Sequence, residues 1–184
     1  MDNTKRQTQK IPEAVFIDID GVLTTGHKYY DQHGLPILKA FYDKDFTACK
    51  ELVASGVQLF FISGDPRMNM QAILNRGHRF YDARVKKKDD IAREIATDNK
   101  LCLPRCMAIG DDIFDIPMLE LVGTPVAPAD SHHRVLETIE HMGGIKLNSK
   151  GGEGCLVELV KILHCSGLNY DMAEVIALDR KEVF

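Results

Sequence analysis

No apolar run in this 184-residue sequence approaches the roughly 20 residues that cross a bilayer, so no membrane-spanning helix is read from it. The first residues, MDNTKRQTQKIPEA, are polar and lack the apolar centre of a signal peptide. Positive charge is not in excess either. Lys and Arg number 23 against 27 Asp and Glu, a formal charge of −4, and such a chain has no overall field favouring DNA, RNA or anionic lipid. The five cysteines (Cys49, Cys102, Cys106, Cys155, Cys165) are odd in number and scattered, so they do not form a disulfide framework. Cys102 and Cys106 lack a second nearby pair with zinc-like spacing. Reduced thiols in a cytoplasmic protein are the simpler account. The histidines form no ligand cluster, and there is no internal repeat, low-complexity segment or interdomain linker. What is present is an ordinary globular composition, 45% hydrophobic and 27% charged, which excludes a largely disordered or collagen-like chain. The length suits one domain.

The recurrent pattern is a short apolar run, a turn rich in Gly, Asp or Ser, and a helical stretch. AVFIDI (14–19) is a β-rich run with a polar residue at its end, and VQLFFI (57–62) is a continuous apolar run expected of a strand covered on both faces. FYDAR (80–84), residues 105–110 and the TPVAPA segment add shorter strand candidates. Helical spacing marks 46–55, 66–76, 88–98, 113–122 and 153–164, and Ser131 is placed to cap a further helix through His141. Strands alternating with helices predict an α/β fold, a mostly parallel sheet with helices on both faces. Residues 27–43 break the rhythm, with two β-rich arms around a DQHG turn that read as a β-hairpin. A short extra helix is expected in the tail after about 165.

Polar residues collect where the apolar runs end, and ligands gather at the carboxyl ends of strands in such sheets. Asp18 and Asp20 follow the first run, with Gly21 opening the turn. Two close carboxylates repel unless a cation or proton intervenes, although an Asp-Gly turn alone gives the same spacing. Ser63 and Gly64 end the most hydrophobic run; a hydroxyl and free amides there hold an anionic oxygen or simply cap a helix. Lys86, Lys87 and Lys88 open a helix, where consecutive cations oppose the helix dipole. Asp111, Asp112 and Asp115 follow a strand-like run and a glycine, a grouping of hard oxygens that suits Mg²⁺ or caps a helix.

Taken in order, DGVLTTG, LKAFYDKD, ISGD, IGDD and KGGEG resemble the haloacid dehalogenase superfamily over about residues 12–164. More narrowly the chain resembles its small capless phosphatases of 8- or 9-carbon keto-acid sugars; no segment is long enough for a cap domain. The resemblance implies a Rossmann-like fold with a hairpin flap. It also implies a Mg²⁺-dependent phosphomonoesterase in which Asp18 is the nucleophile and Asp20 the general acid and base. Ser63 and one lysine would hold phosphoryl oxygens. Lys87 is chosen, because Ile91 and Ile95 follow at helix spacing, with Lys86 and Lys88 open. Asp18, the Asp20 main-chain carbonyl and Asp111 would bind the metal, with Asp112 and Asp115 behind them.

The same resemblance implies a homotetramer in which the hairpin helps close a neighbour's site, with Leu35, Ile37 and Phe41 on one face of its second arm. Gly64, Asp65, Lys44 and Glu153 are the expected substrate-binding residues. Asp65 and Glu153 stand where the octulosonate enzymes usually carry arginine, which points toward the nonulosonate 9-phosphate branch, and Lys44 replaces an arginine. Two other readings are a non-catalytic phosphatase-like regulatory domain and a phospho-acceptor receiver domain. In a receiver domain the acidic residues all precede the hydroxyl and lysine, whereas here Asp111 and Asp112 come last.

Overall fold

The computed structural model describes residues 10–182, so the polar segment before Lys10, read above for a leader, lies outside the described residues. Strand β1 (Ala14–Ile17) is wholly buried and runs into the first acidic turn. The two short strands β2 (Tyr29–Tyr30) and β3 (Pro36–Leu38) then form a separate antiparallel ribbon. Helix α1 (Asp43–Ala54), β4 (Gln58–Ser63), α2 (Pro66–Leu74) and β5 (Arg79–Asp82) follow. After α3 (Lys88–Asp98) come β6 (Met107–Ile109), a 3₁₀ turn at Ile113–Asp115 and α4 (Ile116–Leu119). The chain ends in β7 (Thr124–Ala127), α5 (His133–Met142), β8 (Ile145–Lys146), α6 (Cys155–His164) and α7 (Met172–Asp179).

Six strands make one sheet in the order β5-β4-β1-β6-β7-β8, and every pairing in it is parallel. Side chains alternate between its faces, as period-2 geometry requires. Val15, Ile17, Phe61 and Ile109 face one apolar layer with residues of α1 and α6. Phe16, Phe60, Ile62 and Ala108 face the other, with residues of α3, α4 and α5. This two-sided burial is why the strands read as continuous apolar runs. Burying each large side chain contributes roughly 1.5–3 kcal/mol. From β1 the chain steps outward to β4 and β5, then crosses back to β6 on the other side of β1. The strand order therefore reverses beside β1, which opens a crevice at its carboxyl end.

Local details depart from the sequence reading. His132, not Ser131, caps α5: its Nδ1 accepts from the Arg134 N–H at 3.2 Å, while the Ser131 hydroxyl donates to the Pro128 carbonyl at 2.8 Å. The helix expected over 113–122 is a 3₁₀ turn followed by a four-residue helix, because Asp112 and Asp115 form a reciprocal cap there. Phe41 does not share a free face with Leu35 and Ile37, since it packs against the core beside Phe46. Strand β8 has only two residues and no run to announce it. Among the described residues every cysteine is unpaired, and no helix is long and apolar enough to cross a membrane.

Candidate active site

Strand β1 delivers Asp18 to the crevice, where its backbone N–H donates to the Ile109 carbonyl at 3.0 Å and ties the turn to β6. Gly21 then takes φ +86°, open to glycine without strain, and a side chain there would strike the Asp111 carboxylate. Strand β6 delivers Asp111 opposite. The backbone N–H groups of Asp111 and Asp112 donate to Asp115 Oδ2 at 3.1 and 3.0 Å, which folds the GDD turn around a buried carboxylate. Asp18, Asp111 and Asp115 consequently bring one carboxylate oxygen each within 4.8 Å of one another.

One ammonium enters this group, and it belongs to Lys88. Its Nζ lies 2.6 Å from Asp18 Oδ1 and 2.5 Å from Asp115 Oδ1. Lys87, the lysine expected from the sequence, does not reach the carboxylates. Lys87 is the extended residue preceding α3 and is exposed at the cleft wall, whereas the next residue starts the helix and turns inward. Burial opposes the charge on Lys88, but Asp18 and Asp115 outweigh it and hold its pKa above the ordinary lysine value. Three carboxylates around one ammonium still leave surplus negative charge in a poorly solvated place. Burial first, then Asp115, pushes Asp18 well above the usual carboxylate range against the pull of Lys88. Burial, Asp115 and Asp112 push Asp111 up to about 7. Asp111 Oδ1 is buried with no hydrogen-bond partner. An unpartnered carboxylate oxygen within a surplus of hard anionic donors fits a divalent cation.

Beside this centre, Asp20 is held by groups that sequence reading missed. Its Oδ1 accepts from Lys39 Nζ at 2.6 Å and its Oδ2 from Asn69 Nδ2 at 3.0 Å. Asn69 also donates to Ser63 Oγ at 2.9 Å, and the Asp65 N–H donates to the same oxygen at 3.1 Å. Asp65 accepts from Lys28 at 2.9 Å and lies 3.0 Å from Lys39 Nζ. Those two lysines hold its pKa below the usual range although burial opposes them. The partial signals were a buried Asn in the first turn of α2 and lysines at both stems of the hairpin. Asp20, Ser63, Asp65 and Lys28 line one cleft of about 800 Å³ together with Gly64 and the Asp18, Asp111, Asp115 and Lys88 centre, with Lys39 and Asn69 buried behind them.

Of three other expected positions, one lies at the cleft rim and two fall elsewhere. Asp112 borders the cleft, but its carboxylate accepts from the Ile113 N–H at 2.7 Å and so closes its own turn. Lys44 is exposed in the first turn of α1 and does not line the cleft. In that turn the inward position is taken by Asp45, whose Oδ1 accepts from the N–H groups of Leu156 and Val157 at 2.8 and 3.1 Å. Glu153 is exposed beside a separate groove with Tyr42 and Lys161. The preceding glycines bind the loop back on the first acidic turn, with the Gly152 N–H donating to the Val22 carbonyl at 2.9 Å, so residue 153 is carried past the cleft.

Residues 80–152 match the family of haloacid dehalogenase-like hydrolases. The chain is 29% identical over 154 residues to the 3-deoxy-D-manno-octulosonate 8-phosphate phosphatase of Haemophilus influenzae, spanning 82% of this chain and 83% of that one. It is 30% identical over 153 residues to the Yersinia pestis protein of the same name, spanning 79% of this chain and 76% of that one. The crystal structure of a 3-deoxy-D-manno-octulosonate 8-phosphate phosphatase from Yersinia pestis superposes with a TM-score of 0.76 at 25% identity, covering 87% of this chain and 84% of that one.

Proposed function

Because the chain belongs to the haloacid dehalogenase-like hydrolases and is a phosphatase of that family, we propose that it hydrolyses the phosphomonoester of a sugar acid with Mg²⁺ as cofactor. The candidate esters are of the 3-deoxy-octulosonate 8-phosphate or nonulosonate 9-phosphate type. The observation that carries this reading is the meeting of Asp18, Asp111 and Asp115 around Lys88 at the carboxyl ends of β1 and β6.

In this reading an Asp18 oxygen attacks phosphorus and the bond to the sugar oxygen breaks. Asp20 gives its proton to that oxygen, then takes one from the water that attacks the aspartyl-phosphate, so inorganic phosphate leaves and Asp18 is restored. Ser63 and Lys88 hold phosphoryl oxygens. Asp18, Asp111 and the Asp20 main-chain carbonyl would hold the metal, with Asp115 and Asp112 supporting the turn. When bound, the ion supplies positive charge against the transferring phosphoryl group. Of the two departures from arginine, only Asp65 borders the cleft. Its charge is already met by Lys28 and Lys39, so the leaning toward the nonulosonate branch rests on the resemblance at that position, and the place of Asp65 and Gly64 on the cleft wall supports them as substrate contacts.

The hairpin supports assembly into a homotetramer with shared sites. Tyr29, Tyr30, Leu35, Ile37 and Leu38 are all more than half exposed on a thin ribbon, a concentration of apolar surface that a lone subunit leaves in water. Free thiols support a cytoplasmic location.

A phosphate-release screen across octulosonate, nonulosonate and simple hexose phosphates tests the reading. A preference for the sugar acids is expected; equal or faster release from hexose phosphates overturns it.

A further inference from the structure

Lys39 lies just beyond β3, in the second stem of the hairpin, and its side chain is only 1% exposed. Its ammonium has three partners, which exhausts its donors. They are Asp20 Oδ1 at 2.6 Å, Asn69 Oδ1 at 3.0 Å and Asp65 Oδ2 at 3.0 Å. Asn69 closes the ring by donating to Asp20 Oδ2 at 3.0 Å, so both carboxylate oxygens of Asp20 are held. We propose that Lys39 is a positioning residue that orients Asp20 for proton transfer and makes that orientation depend on the seating of the hairpin.

The chemistry explains why such a brace matters. Asp20 sits on a turn, and about one-quarter of its side chain is open to the cleft. A carboxyl that serves first as acid and then as base must meet two different oxygens, that of the leaving group and that of the attacking water. A misplacement of about 1 Å costs on the order of 10²-fold in such steps. The brace arrives from a segment remote in sequence, and Lys28, from the first stem, meets the same Asp65 at 2.9 Å. Both stems therefore close on one aspartate, and displacing the hairpin removes the group that orients Asp20.

This inference rests on the proposed roles of Asp18 and Asp20, and the test separates the two. With 4-nitrophenyl phosphate the leaving nitrophenolate needs no proton, so phosphorylation of Asp18 proceeds without Asp20, whereas hydrolysis of the aspartyl-phosphate still needs it. The Mg²⁺-loaded Lys39→Met enzyme is expected to release about one equivalent of nitrophenolate per active site in a burst. It should then turn over at least about tenfold more slowly than wild type, with phosphate trapped on the protein after acid quench. Should Lys39→Met not fold, Lys39→Gln, which keeps a donor without charge, carries the same measurement. Wild-type turnover in the variant overturns the inference, as does a burst that falls in step with turnover, the signature of a merely structural role. Asp20→Asn is run alongside. If it turns over like wild type, the acid–base reading itself has failed; if it shows the burst while Lys39→Met does not, only the role of Lys39 has.

Discussion

The ammonium of Lys88 lies 2.6 Å from a carboxylate oxygen of Asp18, and this contact, spanning seventy positions of sequence, joins the start of α3 to the carboxyl end of β1. The pair is also bound to a second buried carboxylate, Asp115, so removing one member differs sharply from removing the other.

Asp18→Asn should lower phosphatase activity by at least about 10⁴-fold while the fold persists, since it relieves surplus negative charge. Lys88→Met should instead leave two buried carboxylates uncompensated and destabilise the protein by about 3–5 kcal/mol. Urea unfolding in chelator checks the contrast, and a Lys88→Met protein as stable as Asp18→Asn contradicts it.

Mg²⁺ should raise the stability of the wild-type protein as well as support its activity. At a hundredfold excess over the dissociation constant the gain is about 2.7 kcal/mol, and Asp111→Asn should abolish it. Because Asp111 lies at about 7 in the metal-free protein, it must lose a proton to bind the ion below that pH. The apparent affinity should therefore fall as pH drops from 8 to 6. Thermal shifts in Mg²⁺ and in EDTA at each pH measure it, and an affinity flat over that range counts against Asp111 as a ligand.

Asp45 offers a stability test away from the chemistry. It is fully buried, and burial pushes it up to about 6 although the N–H groups at the start of α6 favour its charge. A carboxyl raised in the folded state binds its proton more tightly there than when unfolded. Its contribution is therefore most favourable at low pH and declines as pH rises from about 4 to about 6, a loss on the order of 3 kcal/mol. Asp45→Asn keeps the acceptor and should lack that decline. Asp45→Ala also lacks the decline but loses both hydrogen bonds to α6, and should lie about 1–3 kcal/mol below Asp45→Asn at all pH. Urea titrations at pH 4, 5, 6 and 7 distinguish the three proteins.

Light scattering should give a mass near four chains. Leu38→Asp, which places a charge at the exposed end of the ribbon, should shift it toward smaller species with little change in the unfolding of a subunit. A monomeric wild-type protein at micromolar concentration removes the shared-site reading.

The central strands and acidic turns were legible because strands buried on both faces read as apolar runs, and the polar residues ending them are conspicuous. The register of Lys86, Lys87 and Lys88 was not, since three identical side chains carry no signal for which one precedes the helix. Lys44 and Glu153 misled for a related reason. A residue type matched to a motif does not say which way its turn faces, and here Asp45 and the Gly151–Gly152 backbone take the inward positions. Lys39 and Asn69 were only faintly marked because their partner Asp20 lies in another segment, 19 and 49 positions away.

The feet of the hairpin are bolted to Asp65 by Lys28 and Lys39, while its tip touches little of its own subunit. Chemistry and recognition are thereby uncoupled along a single loop. The tip is free to be redrawn for a different neighbour or a differently shaped sugar, and the hydrolytic centre below it stays as it is.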